Sequence, residues 1–310
     1  MSRLAANLLL VLTAVVWGLA FVVQKVGSDH ISSATFIAAR LFLGALVVLP
    51  FALIHWRRKR EPLRREDWGM MVTTGLVLCA ASVTQQFGVE ETSVANAGFL
   101  TGLNVPMVPL IELLILRKKP HPIIWPAAGL SLVGTYLMSG SGDLSFGKGD
   151  AWIVLSSLFW AVHIILIGRT SSRTGLPTLL AVVQYLISAV LCAAWALAFE
   201  PPIMPGLQAA WREILFIGVM EVGLAYTLQT IAQRYSNAAD AAVILSGEML
   251  FAALGGMLFL GERMSLLQAI GAAAILCGML AVQLGPMWTS PSRAGIPVMR
   301  GGAAQPSRDV

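Results

Sequence analysis

Apolar residues in this chain come in long blocks, not in alternation and not on one face of each turn. Ten blocks stand out, over residues 5–25, 33–54, 68–88, 93–116, 123–140, 151–169, 177–198, 211–233, 237–259 and 265–287. About 20 mainly apolar residues in a helix cross the roughly 30 Å of bilayer hydrocarbon. The pattern therefore predicts an all-α integral membrane protein of ten transmembrane helices. The connections are short, which leaves no room for a soluble domain. The first block, preceded by Arg3, has the outline of a secretory signal. Nine further blocks follow it and no small-residue cleavage site closes it, so it reads as a retained first helix.

Composition supports a lipid solvent. Hydrophobic residues are 57% of the chain and charged residues 12%, with a mean hydropathy of +0.76. A soluble chain carries about 25% charge. The same figures exclude a disordered, collagenous or coiled-coil chain. With ten crossings, sixteen of the 21 Lys and Arg fall on one side: Arg3, Arg57, Arg58, Lys59, Arg60, Arg64, Arg65, Arg117, Lys118, Lys119, Arg169, Arg173, Arg234, Arg293, Arg300 and Arg308. Four fall on the other, Lys25, Lys148, Arg212 and Arg263, and Arg40 stays within a span. That asymmetry is the positive-inside pattern and predicts cytoplasmic N- and C-termini. The net charge of +5 is thus a topology signal, with no nucleic-acid partner expected. Trp56, Trp68, Trp125, Trp152, Trp195, Trp211 and Trp288 lie near span ends, as an interfacial belt requires. Trp17 and Trp160 lie near mid-span. Cys79, Cys192 and Cys277 are far apart without zinc or redox spacing, and the four histidines do not cluster. No metal, cofactor or disulfide is expected.

The two mid-span tryptophans are 143 residues apart, and Gly129 and Gly271 are 142 apart. Leu100-Thr101-Gly102 parallels Leu245-Ser246-Gly247. The chain reads as two repeats of five spans, 1–140 and 151–287, with a disordered cytoplasmic tail over 288–310. An odd number of crossings gives the halves opposite orientation, and such inverted repeats rock about a site near the midplane. Specific motifs sharpen this. Trp17-Gly18-Leu19-Ala20-Phe21 with Lys25 resembles the first-helix signature of EamA-type carriers, and Arg40 falls where they often place an arginine. Leu260-Gly261-Glu262-Arg263 with Gln268 and Gly271 resembles the end of the second EamA repeat. The resemblance covers nearly all of residues 5–287. It implies the drug/metabolite transporter superfamily and, within it, a likeness to the YddG exporters of aromatic amino acids and methyl viologen. Many members of that family have proline where Glu248 stands, a position the repeat alignment sets opposite Pro106.

An ionisable group at a helix centre costs about 3 kcal/mol on insertion scales, so it needs a reason. Arg40, Glu112, Glu221 and Glu248 stand out. Glu112 is close enough to Arg117 to reach the interface. Arg40 is a candidate for gating, for an ion pair or for bonding helix carbonyls. On an α-helical period Glu221 shares a face with Ala225, Leu228, Gln229 and Gln233, a polar stripe that suits a water-filled cavity or interhelical hydrogen bonds. Tyr226 is off that stripe. Either Glu221 or Glu248, buried without a cation, opens a route to proton coupling. Asn104-Val105-Pro106-Met107-Val108-Pro109 predicts a break in the fourth helix, at Pro106 and Pro109, because neither proline donates to the carbonyl four residues back. Gly247-Glu248 and Gly255-Gly256 occupy the matching helix of the second half. Trp17, Phe21 and Gln24 share a face of the first helix, and Trp160 and His163 one of the sixth. These are either cavity walls or ordinary packing. Gln85-Gln86 is placed at the outer mouth, and Gly98-x-x-x-Gly102 at a close helix contact.

The expected function is export of small metabolites, such as amino acids, across a bacterial-type inner membrane by alternating access through a central cavity. No phosphate-binding loop is present, so the drive is a solute or proton gradient. The partners expected are an amphipathic or aromatic small solute and membrane lipid, around a monomer or weak oligomer. A cationic drug/proton exchanger of the methyl viologen type is the nearest alternative. A lipid-modifying membrane enzyme is less favoured, because Asp143, Asp150 and His121 form no paired catalytic set; a passive channel is a further alternative.

Overall fold

Inside a bilayer every backbone N–H and C=O must find its partner within the protein, and apolar blocks meet that demand as helices. The computed structural model describes residues 1–28, 30–59, 62–92, 94–139, 147–200, 202–260 and 263–289, with the backbone alone at 21, 22, 24–28, 94–96, 256, 259, 260 and 285–289. The side chains of Phe21, Gln24 and Lys25, the Leu260-Gly261-Glu262 motif and the tail from 290 lie outside the described residues. Each predicted block carries helix: α1 (Arg3–Ser28), α2 (Ser33–Arg58), α3 (Arg65–Glu91), α4 (Val94–Thr101) with α5 (Asn104–Leu114), α6 (Ile124–Met138), α7 (Lys148–Thr174), α8 (Pro177–Phe199), α10 (Trp211–Phe216) running through a π-helical segment (Ile217–Tyr226) into α11 (Thr227–Ala232), α12 (Ala238–Leu245) with α13 (Glu248–Leu260), and α14 (Leu266–Thr289). A short α9 (Ile203–Ala209), not foreseen from the pattern, sits in the connection after α8. No strand is present among the described residues.

Nine of these helical stretches are long and apolar enough to cross a membrane. The fifth block differs from expectation. It folds as α6, only 15 residues long, which at 1.5 Å per residue spans about 22 Å. Leu4, Leu8, Phe51, Val190, Leu197 and Leu266 are among the many large apolar side chains left facing outward, as lipid contact requires.

Contacts at the helix ends divide the molecule into two poles. At one, Lys59 Nζ donates to the carbonyl of Thr174 at 2.6 Å, Arg173 pairs with Glu66 and Asp67, and Arg234 donates to the carbonyl of Gly175. Arg3 joins Asp240 there at 2.6 Å and Asn7 accepts from Ser236. At the other pole, Glu200 accepts from the N–H groups of Ala34 and Thr35, Lys148 pairs with Glu91 at 3.1 Å, and Thr92 donates to Asp150. The basic clusters of the sequence therefore gather at the first pole.

Packing is closest where side chains are smallest. At Gly18, a Cβ would lie 2.6 Å from the Glu248 carbonyl of α13; at Gly134 it would lie 2.5 Å from the carbonyl of Gly271, joining α6 to α14. Gly129, aligned with Gly271 in the sequence, faces open space instead. Besides these pairs, α3 packs on α7 and α8, α2 on α8 and the π-helical segment, and α1 on the π-helical segment. Cys79 of α3 and Cys192 of α8, 113 positions apart, come together with their free thiols 3.8 Å apart. Sequence separation concealed this pair, because only helix packing sets it.

Both helix breaks have one form. Leu103 N–H donates to Leu100 and Val105 N–H to Gly102; at a constant offset, Gly247 N–H donates to Ile244 and Met249 N–H to Ser246. Each is an i→i−3 bond that tightens the chain between two half-helices. The register sets Glu248 opposite Asn104, each the first residue of its second half-helix; Pro106, aligned with Glu248 in the sequence, lies two residues further on. The Gly102 carbonyl that Pro106 cannot serve is taken by Val105; the break thus falls ahead of Pro106 and Pro109, which lie inside α5 and not at the interruption the sequence placed on them.

Candidate substrate site

The middle of the bundle is built around Tyr226. Its ring centroid lies 4.7 Å from that of Trp17 on α1, 6.4 Å from Trp160 on α7 in a stacked arrangement, and 6.3 Å from Tyr185 on α8. Trp160 in turn meets the His163 ring edge-on at 5.6 Å. His163 Nε2 is 2.9 Å from Gln184 Oε1, and the Tyr185 hydroxyl is 3.3 Å from that of Thr227. Four elements distant in sequence thus supply one aromatic cluster.

Tyr226 reaches this place because residues 217–226 wind as a π-helix. In an α-helix, residues five apart point about 140° from each other. The wider i→i+5 turn brings them back toward one face. Glu221 and Tyr226 therefore lie toward one side of the segment, and both are buried. An α-helical stripe excludes Tyr226, which is why periodicity missed it. Gly218 and Gly223 of this segment lie close against Leu43 and Val47, and Val222 against Gly44. Helix α2 thus follows the π-helical segment closely.

That contact delivers the charge. Arg40 of α2 and Glu221 are both 7% exposed. Arg40 Nη1 stands 3.6 Å from Glu221 Oε1, and the guanidinium lies 5.5 Å from the Phe36 ring centroid. Glu221 therefore has a cationic neighbour, which removes for it the unpaired condition attached to proton coupling. The pair is loose: Arg40 Nε and Nη1 and Glu221 Oε2 are buried without a hydrogen-bond partner. Glu248 heads α13, its backbone carbonyl 2.6 Å from where a Cβ on Gly18, the neighbour of Trp17, would stand.

Around these groups, Trp17 Nε1, Trp160 Nε1, His163 Nδ1, Gln184 Nε2 and Gln229 Oε1 are also buried and unpartnered. Buried polar atoms are nearly always paired, so this concentration of unpartnered ones sets the region apart from the ordinary interior. Gln233, the last member of the proposed stripe, donates instead to the carbonyl of Ile164 at 2.9 Å and ties α11 to α7. Asn104 is half-buried at the head of α5. Glu112 binds Lys118 at 2.9 Å, away from the aromatic cluster. Gln85 donates to Thr101 beside the first helix break. Gln184 and Tyr185 went unnoticed in the sequence, although a Gln-Tyr pair within the seventh apolar block is itself a signal. A groove of about 350 Å³ between α5 and α7, lined by Met107, Leu110, Ile111 and Leu158 among others, is apolar and separate from the site.

Comparison with known proteins gives the family. The model of the EamA-like transporter family matches residues 4–140 and again 147–284. The chain belongs to this family. Among its relatives, an uncharacterized transporter of Archaeoglobus fulgidus is 30% identical over 283 residues, covering 91% of this chain and 87% of the relative. The uncharacterized transporter YwfM of Bacillus subtilis is 27% identical, covering 90% and 94%. The threonine/homoserine exporter RhtA of Salmonella typhimurium is 27% identical, covering 81% of each chain. A crystal structure aligns with a TM-score of 0.77 at 19% identity, covering 93% of this chain and all of that one, which shows the fold. This EamA-family chain is a multi-pass membrane transporter with small-metabolite exporters among its relatives.

Proposed function

We propose that this EamA-family chain exports amino acids across a bacterial-type inner membrane by alternating access, with the Tyr226 cluster and the Arg40–Glu221 pair as its substrate site. The observation carrying this reading is the convergence of Trp17, Trp160, Tyr185 and Tyr226 on buried charges and unpartnered polar atoms. Aromatic faces suit an apolar side chain, and the charges suit an α-amino acid head. The name of the RhtA relative as a threonine/homoserine exporter supports the amino-acid class. The YddG-like preference for aromatic amino acids rests on the rings.

Two oppositely oriented five-helix halves supply the motion in this reading. In support, packing recurs when the halves are exchanged: α3 on α7 answers α1 on the π-helical segment, and α1 on α13 answers α7 on α5. The N-terminus of α1 lies at the pole opposite that of α7. The two helix breaks repeat one hydrogen-bond pattern, as expected of discontinuous helices at a transporter site. With the basic pole in the cytoplasm, the start of α1 and the last turns of α14, joined by Arg3 to Val282 and Asn7 to Gln283, lie at that side.

Flux in proteoliposomes tests this reading. Labelled phenylalanine, tryptophan, threonine and homoserine should show saturable uptake, accelerated by unlabelled solute on the other side. Flux that stays linear in concentration and lacks counterflow would leave a channel. Methyl viologen flux with no amino-acid flux would favour the cation exchanger, for which the two carboxylates Glu221 and Glu248 argue.

A further inference from the structure

We propose that Arg40 is the carboxylate anchor of this site, and that substrate binding exchanges the loose Arg40–Glu221 contact for two tight ones: substrate carboxylate on Arg40 and substrate ammonium on Glu221 with Glu248. The inference rests on the exporter reading and specifies its ligand as a zwitterion. A guanidinium carries five N–H donors and matches a carboxylate with two parallel bonds. Here Arg40 faces one carboxylate oxygen at 3.6 Å, beyond hydrogen-bond reach, while Nε and Nη1 are buried without an acceptor. Glu221 has the complementary deficit, because Oε2 has no donor. Each group is thus held near its partner without being satisfied by it.

An α-amino acid corrects both deficits at once. Its carboxylate supplies Arg40 with acceptors, and its ammonium supplies up to three donors to the carboxylates. The side chain then projects toward Tyr226, five residues from Glu221 along the π-helical segment and packed on Trp17. Phe36, under the guanidinium at 5.5 Å, holds the arginine plane without occupying its donors. A simple amine satisfies the glutamates and leaves Arg40 unpaired. A simple carboxylate does the reverse. Sites built to hydrogen-bond a group reject analogues that lack it, because the buried partner stays unsatisfied.

Competition against labelled L-phenylalanine or L-threonine in proteoliposomes tests this, with 2-phenylethylamine, 3-phenylpropionate and phenylalanine methyl ester as competitors. In the native protein each should compete at least about a hundredfold less well than phenylalanine. In Arg40→Gln, and in the Arg40→Gln/Glu221→Gln pair that removes the orphaned charge, phenylethylamine should approach phenylalanine to within about tenfold. Arg40→Lys should keep the preference for amino acids at lower affinity, because a point charge replaces the fork. A merely structural arginine would change flux for all competitors alike and leave their ratios intact. Phenylethylamine competing as well as phenylalanine in the native protein overturns the inference alone and leaves an exporter of amines and amino acids. Absence of saturable flux for either amino acid overturns the exporter reading, and this inference with it.

Discussion

Tyr226 is the residue on which most of the candidate site depends, since three other aromatic rings meet it. Tyr226→Ala should lower amino-acid flux at least about tenfold, because an aromatic contact in such a cluster is worth about 0.5–1.5 kcal/mol beyond its burial and three are lost. Tyr226→Phe keeps the rings and should retain most of the flux; initial rates in proteoliposomes compare the two. Arg40 and Glu221 form the other test. Removing one member of a buried pair leaves an uncompensated charge at a cost of about 3–5 kcal/mol. Glu221→Gln alone should therefore lower the thermal unfolding midpoint in detergent, and adding Arg40→Gln should recover part of the loss. Additive loss in the double variant would show that the two side chains are not coupled.

Helix contacts make their own predictions. Gly134→Val places side-chain atoms where the Gly271 carbonyl stands. Overpacking of this kind costs about 1–3 kcal/mol, so α6 and α14 should separate and the unfolding midpoint should fall. Gly129→Val, with open space beside it, should have little effect and serves as the control. The Cys79–Cys192 approach of 3.8 Å joins α3 to α8. After mild oxidation of the folded protein, maleimide labelling in denaturant should find both thiols gone while Cys277 stays reactive, and Cys79→Ser should leave the buried Cys192 free to label once unfolded. Labelling of all three thiols after oxidation would contradict this packing.

For the complete chain, orientation is the testable property. The basic pole gathers Arg3, Lys59, Arg173 and Arg234. Fluorescent-protein fusions at either terminus should fluoresce and alkaline phosphatase fusions should stay inactive; the reverse would place the basic pole outside. Helical class, the blocks that become helices and the charge asymmetry were all legible in the residues, because lipid forces apolar segments into self-satisfied helices and the membrane sorts Lys and Arg. The first repeat signature around Trp17 was legible for the same local reason, and so was the existence of a break in the fourth helix; its place was not, because the chain tightens at 102–103, ahead of Pro106 and Pro109. Three things were decided only in three dimensions. The π-helical turn that brings Tyr226 toward the side of Glu221 runs closely against α2, and no periodicity measured on an α-helix reveals it. The Arg40–Glu221 pair and the Cys79–Cys192 contact join residues far apart in the chain. Such pairings follow from which helix faces fit together, and that is fixed by the packing of small residues across the bundle, not by any one segment.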